Sequence, residues 1–133
     1  SQSSLELLLH VIDLWLPDLK YGNNQCGKKY SGVRNYFDIL KRNLKTIYNR
    51  GSRSIIIRHL VMPNHLECCT RPIFEFIAEN LPNVVVNIMG QYHPAYRVNT
   101  TNYPKINRKI TSQELEQAFR WADELKIEYR SVS

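Results

Sequence analysis

The stretch IIIRHLVMPNHLECCTRPIFEFIAENLPNVVVNIM spans Ile55–Met89. It opens on branched aliphatics, which favour a pleated strand, and the pattern predicts a strand over 54–61. Ile73, Phe74, Ile77 and Leu81 then recur at helical spacing, with Thr70 as the expected N-cap and Pro72 tolerable in a first turn. A second branched run, VVVNIM, predicts a strand over 84–89. Two strands joined through a helix can lie parallel, so this stretch reads as a βαβ unit.

The alternation continues outward. Upstream, VIDLWL predicts a strand over 11–16. Tyr36, Phe37, Leu40, Leu44, Ile47 and Tyr48 form a helical stripe, with Lys41, Arg42 and Lys45 on its other side and Gly51 as its stop. Downstream, Leu115, Ala118, Phe119, Ala122 and Leu125 form a third stripe behind a capping-box pattern, Thr111-Ser112-Gln113-Glu114. A weaker strand signal follows over 127–130. The expected fold is α/β in one domain over 1–133, with three or four parallel strands, intervening helices and both sheet faces covered. Ligands of such sheets sit at the carboxyl ends of the strands.

The 133 residues are 43% hydrophobic and 23% charged, enough to bury a core without disulfides. The net charge of +6 favours an anionic partner. Ten Lys/Arg and one acid, Asp38, lie between Lys20 and Arg58. Tyr21, Tyr30, Tyr36 and Tyr48 are interleaved with these cations, the composition of a nucleic-acid surface or of an ordinary solvated helix face. Three cysteines, Cys26, Cys68 and Cys69, make no disulfide framework and fit reduced thiols of a cytoplasmic protein. No apolar run is long enough for a membrane span.

Polar residues follow each predicted strand: Asp18 and Lys20 after the first, Arg58, His59, Asn64 and His65 along and after the second, Tyr92 and His93 after the third. Asp18 beside Lys20 suits a zwitterion, and Arg58 suits a carboxylate held by two parallel hydrogen bonds. The same residues also fit a structural ion pair and ordinary polar loops. His65-x-x-Cys68 has metal-ligand spacing, but adjacent cysteines are poor geometry for one ion, and burial at a helix start explains them equally. No metal site and no catalytic group is predicted in this chain.

LPDLKYG (Leu16–Gly22), IRHLVMPNH (Ile57–His65) and NIMGQYHPAY (Asn87–Tyr96) carry a resemblance that covers about Leu5 to Ile127. The chain resembles the later half of radical S-adenosylmethionine proteins, nearest to those similar to pyruvate formate-lyase activating enzyme. The resemblance implies half of a partial (βα)6 TIM-like barrel, with S-adenosylmethionine across the strand ends. It implies that Asp18, Lys20, Arg58, Tyr92 and His93 face that cofactor. A [4Fe–4S] cluster on a CxxxCxxC loop reduces the sulfonium in such proteins, and a 5′-deoxyadenosyl radical abstracts hydrogen from the substrate. In the activating enzymes the substrate is a glycine of a glycyl-radical-type protein.

This chain has no CxxxCxxC. The expectation is therefore a fragment, inactive alone, whose cluster belongs to an amino-terminal half of the same protein. Its 11–16 strand would lose a neighbour, so the isolated chain is expected to self-associate. A basic nucleic-acid-binding or partner-binding module without catalysis is the alternative.

Overall fold

The computed structural model describes residues 19–50, 56–92 and 103–132. The predicted strand over 11–16, Asp18, Gly51 and His93 lie outside the described residues. Three strands form one parallel sheet in chain order: β1 (Ile56–Leu60), β2 (Val85–Met89) and β3 (Glu128–Val132). The register pairs Ile56 with Val85 and Val85 with Glu128. On the other side of β1, Leu19 forms a parallel bridge with His59. Leu19 donates to the Arg58 carbonyl at 2.8 Å and accepts from the Leu60 amide at 3.1 Å.

Four α-helices are described: α1 (Asn24–Ser31), α2 (Tyr36–Asn49), α3 (Arg71–Asn80) and α4 (Ser112–Glu124). The predicted stripes correspond to α2, α3 and α4. α1 went unread because its apolar content is low, yet Asn23 caps it by accepting from the Cys26 amide at 2.7 Å. The capping box of α4 forms as its sequence predicts. Thr111 accepts from the Glu114 amide at 3.1 Å, and the Glu114 carboxylate accepts from the Thr111 amide at 3.0 Å.

Thr70 is a correction. It makes no side-chain cap, because a π-helical turn (Leu66–Thr70) runs straight into α3 and Thr70 itself has helical backbone angles. Its hydroxyl is used by His59 instead.

Side chains of β1 and β2 alternate, as a pleat requires. Ile57, Val86 and Ile88 are fully buried against Ile73, Phe74 and Ile77 of α3 and Ala118 and Ala122 of α4. Phe119 of α4 stacks on Tyr129 of β3. The opposite face holds Ile56, Arg58 and Leu60, then Val85, Asn87 and Met89, then Glu128 and Arg130. Ile56, Arg58, Glu128 and Arg130 are exposed. Leu60, Val85 and Asn87 are half-buried and Met89 is buried, so this face is covered in part and is exposed at Ile56, Arg58 and along β3. No described helix is long and apolar enough to cross a membrane.

Candidate functional site

Two groups of residues stand out, on the open sheet face and at the carboxyl ends of the strands. On the open face, the register aligns Arg58, Asn87 and Arg130 as one row across three strands. Arg58 extends toward the carboxyl end and touches the Met89 sulfur at 3.4 Å. Asn87 presents a buried amide oxygen without a hydrogen-bond partner among the described residues. An orphaned buried acceptor is costly, and it lies here between two strands that each contribute an arginine to the row. Sequence reasoning found Arg58 but missed Asn87 and Arg130. An asparagine inside an otherwise apolar strand was the available signal.

The carboxyl ends lead into a second apolar cluster, formed by Tyr21, Met62, Cys69, Tyr92 and Ile106 with Tyr30, Tyr36, Leu60 and Tyr103 packed against it. Tyr92 is thus a buried wall residue at the rim. Burial, first, and then Tyr30 push its hydroxyl up in pKa. Lys20 lies at the same end, directly after Leu19. The structure places Lys20 and Tyr92 toward the carboxyl end of the sheet. Arg58 stands mid-strand and Tyr92 beyond the strand end. Tyr21 packs on Tyr30 and Tyr36, and Tyr30 meets Tyr103 edge-on at 5.3 Å. Tyr48 donates to the Pro82 carbonyl. The four interleaved tyrosines all make contacts within the fold.

The histidines divide in a way their spacing did not reveal. His59 is wholly buried. Its Nδ1 faces the Leu19 carbonyl at 2.6 Å and therefore carries the proton, and its Nε2 accepts from the Thr70 hydroxyl at 2.8 Å. Burial outweighs the Leu19 hydrogen bond and lowers its pKa to about 4. His59 is thus a neutral structural tie, both of whose ring nitrogens are engaged. His65 donates from Nδ1 to the Pro63 carbonyl at 2.8 Å and meets Tyr30 edge-on. Burial lowers its pKa too.

The sulfurs of Cys26, Cys68 and Cys69 all lie within 4.8 Å of one another. Sequence spacing kept Cys26 apart from the pair by some forty positions. The fold joins them because Gly22 allows the chain before α1 to press on the π-helical turn. A Cβ at Gly22 would stand 2.3 Å from the Cys69 carbonyl oxygen. Asn23 closes the contact, donating from Nδ2 to the Cys68 carbonyl at 2.7 Å and lying 3.3 Å from the Cys26 sulfur. The separation is too short for three corners of a [4Fe–4S] cluster, where each thiolate ligates a different iron. These cysteines do not fit that group.

A cleft of about 420 Å³ opens at the amino ends of β2 and β3, beside Leu81, Val84 and Ile127. That is the end of a parallel sheet associated with stability rather than with ligands.

Fold and site define an α/β protein with a three-stranded parallel sheet, a polar row across one sheet face and a thiol cluster beside its strand ends. The chain is similar to an uncharacterized protein of Methanocaldococcus jannaschii, with 50% identity over 124 residues. The match covers 93% of this chain and 35% of the relative, so the chain spans about a third of that relative's length. No family model matches, and no solved structure matches.

Proposed function

We propose that this chain is the carboxyl-terminal part of a cytoplasmic radical S-adenosylmethionine enzyme of the kind that resembles pyruvate formate-lyase activating enzyme. In this reading the sheet is one half of a partial (βα)6 barrel, and its open face is the barrel interior. The consecutive parallel order, Leu19 to β1 to β2 to β3, supports that geometry, as does the packing of α2, α3 and α4 into one core with the buried side chains of β1 and β2. The matched segment is a minor part of a longer relative, the size relation this reading expects.

The observation that carries the reading is the orphaned Asn87 oxygen beside Arg58. The amino-acid end of S-adenosylmethionine has a carboxylate and an ammonium group. Arg58 binds the carboxylate with paired hydrogen bonds. Asn87 accepts from the ammonium group, which satisfies its buried oxygen. Tyr92 walls the rim and excludes water, and Lys20 follows Leu19 at the same end of the sheet. Asp18 and His93 join this set by the resemblance. With a [4Fe–4S] cluster supplied by the amino-terminal part of the protein, the bound cofactor provides a 5′-deoxyadenosyl radical for hydrogen abstraction. The partner class is a glycyl-radical-type protein.

The test uses the intact protein, with this chain joined to its cluster-bearing part, reduced without oxygen. Binding of S-adenosylmethionine and release of 5′-deoxyadenosine are expected. Arg58→Ala and Asn87→Ala should each weaken binding by about 1–3 kcal/mol, since each removes a hydrogen bond to a charged group. An intact protein that neither binds nor cleaves S-adenosylmethionine would refute the reading. Unchanged affinity in both variants would refute the assignment of the polar row.

A further inference from the structure

We infer that Cys26, Cys68 and Cys69 form a binding site for a single thiophilic metal ion, zinc, beside the carboxyl ends of the strands. The site is independent of the cofactor reading above and shares none of its ligand-binding residues.

Distance decides between a single ion and a cluster. Zinc bonds to sulfur at about 2.3 Å, so a tetrahedral ion holds its sulfurs roughly 3.8 Å apart. The sulfurs of Cys68 and Cys69 stand 3.7 Å apart, and Cys26 completes a triangle within 4.8 Å. Closing that triangle onto one ion takes small side-chain rotations. Adjacent cysteines, a poor pair in a regular helix, converge here because they sit in a π-helical turn. Its wider winding reduces the angle between successive side chains, and such turns are frequent at functional sites.

A second observation points to a ligand. The Nδ2 group of Asn23 gives one hydrogen to the Cys68 carbonyl, and it also lies 3.3 Å from the Cys26 sulfur and 3.9 Å from the Cys69 sulfur. An amide donor directed at sulfur supports a metal-bound thiolate better than a neutral thiol, which is a weak acceptor. Soft thiolate donors select zinc over magnesium or calcium. Cys26 and Cys68 are partly exposed, which gives the ion an entry path. Three protein ligands among the described residues leave a fourth position for water or one more donor, the arrangement of zinc sites that keep an open coordination position. On binding, each thiol gives its proton to solvent as its metal–sulfur bond forms, with no change in oxidation state.

The experiment loads the 133-residue chain with zinc under reductant, removes excess metal, and measures bound zinc, its sulfur coordination by X-ray absorption, and the alkylation rate of each cysteine. One zinc per chain, three sulfur neighbours and protection of all three thiols are expected. Cys26→Ser and Cys68→Ser should each lower zinc affinity at least tenfold. Cys69 is buried and its replacement endangers the fold, so its role is read from alkylation of the unaltered chain. Asn23→Ala, with the three ligands intact, should weaken binding less than either serine variant. Loss of zinc on simple desalting would overturn the proposal, as would undiminished affinity in Cys26→Ser. Preferential uptake of iron with acid-labile sulfide would also overturn it, in favour of a cluster.

Discussion

His59 shows how a polar residue enters an apolar strand without destabilising it. Both ring nitrogens are satisfied, by Leu19 and by Thr70, and the ring meets Phe74 edge-on at 5.5 Å. One side chain therefore joins the segment before α1, strand β1 and the start of α3. His59→Phe keeps an aromatic ring but is larger than the fully buried imidazole and strands the Thr70 hydroxyl, and should cost about 1–3 kcal/mol in chemical denaturation. The same residue sets a pH dependence. Its folded pKa of about 4 lies below the ordinary 6.5, so between these values the unfolded chain binds the extra proton and the folded chain does not. Stability should be fully present above about pH 6.5 and should fall as the pH drops toward 4. The slope should flatten in His59→Phe. An unchanged slope between pH 4 and 6.5 would show that His59 is not the group responsible.

At the scale of elements, two contacts fix how the helices meet the strand ends. The first is the pairing of Arg108 with Glu114, at 2.7 Å and 3.1 Å, on the carboxylate that also caps α4 and accepts from the Asn64 amide at 2.9 Å. Partial burial pushes the Glu114 pKa up. The Arg108 hydrogen bonds and the two backbone amides overcome this and hold it at about 2. Asn64 lies in the left-handed region, which asparagine tolerates, and its side chain donates to the Lys105 carbonyl. Glu114→Ala should therefore loosen both the start of α4 and the turn after β1, by about 1–2 kcal/mol. Thermal unfolding at pH 7 is the check. The second contact is Gly22. Any side chain there meets the Cys69 backbone, so Gly22→Ala should cost about 1–3 kcal/mol through displacement of α1. Thiol alkylation reports this directly, because Cys26 should become more reactive while Cys68 and Cys69 change less.

At the scale of the molecule, the sheet is asymmetric. One face is packed with fully buried aliphatics; the other holds exposed Ile56 and the polar row. β3 has a strand partner only on its β2 side among the described strands. An open edge is a template for pairing, and a net charge of +6 opposes association weakly at physiological salt. The 133-residue chain studied alone should therefore self-associate at low micromolar concentration. Sedimentation is the measurement. A sharp monomer with cooperative unfolding would mean that this chain completes its own core, and the half-barrel proposal would lose its main consequence.

The sequence by itself determined the elements. Ser54–Val61 and Val84–Met89 read as parallel strands because branched aliphatics in short runs favour the pleat, and α2 and α4 were legible because their apolar residues repeat at helical spacing. The capping box at Thr111 was legible for the same reason: each of its hydrogen bonds spans three residues. What only the tertiary structure decided is which residues meet. Strand pairing aligned Asn87 with Arg58 and Arg130 across gaps of 29 and 43 residues, a register that period-two alternation alone does not specify. Close approach at Gly22 brought Cys26 onto the Cys68–Cys69 turn, and burial made His59, one of the polar residues along the second strand, a core tie. Local patterns encode local backbone, whereas long-range juxtaposition depends on how whole elements pack, and no spacing along the chain records it.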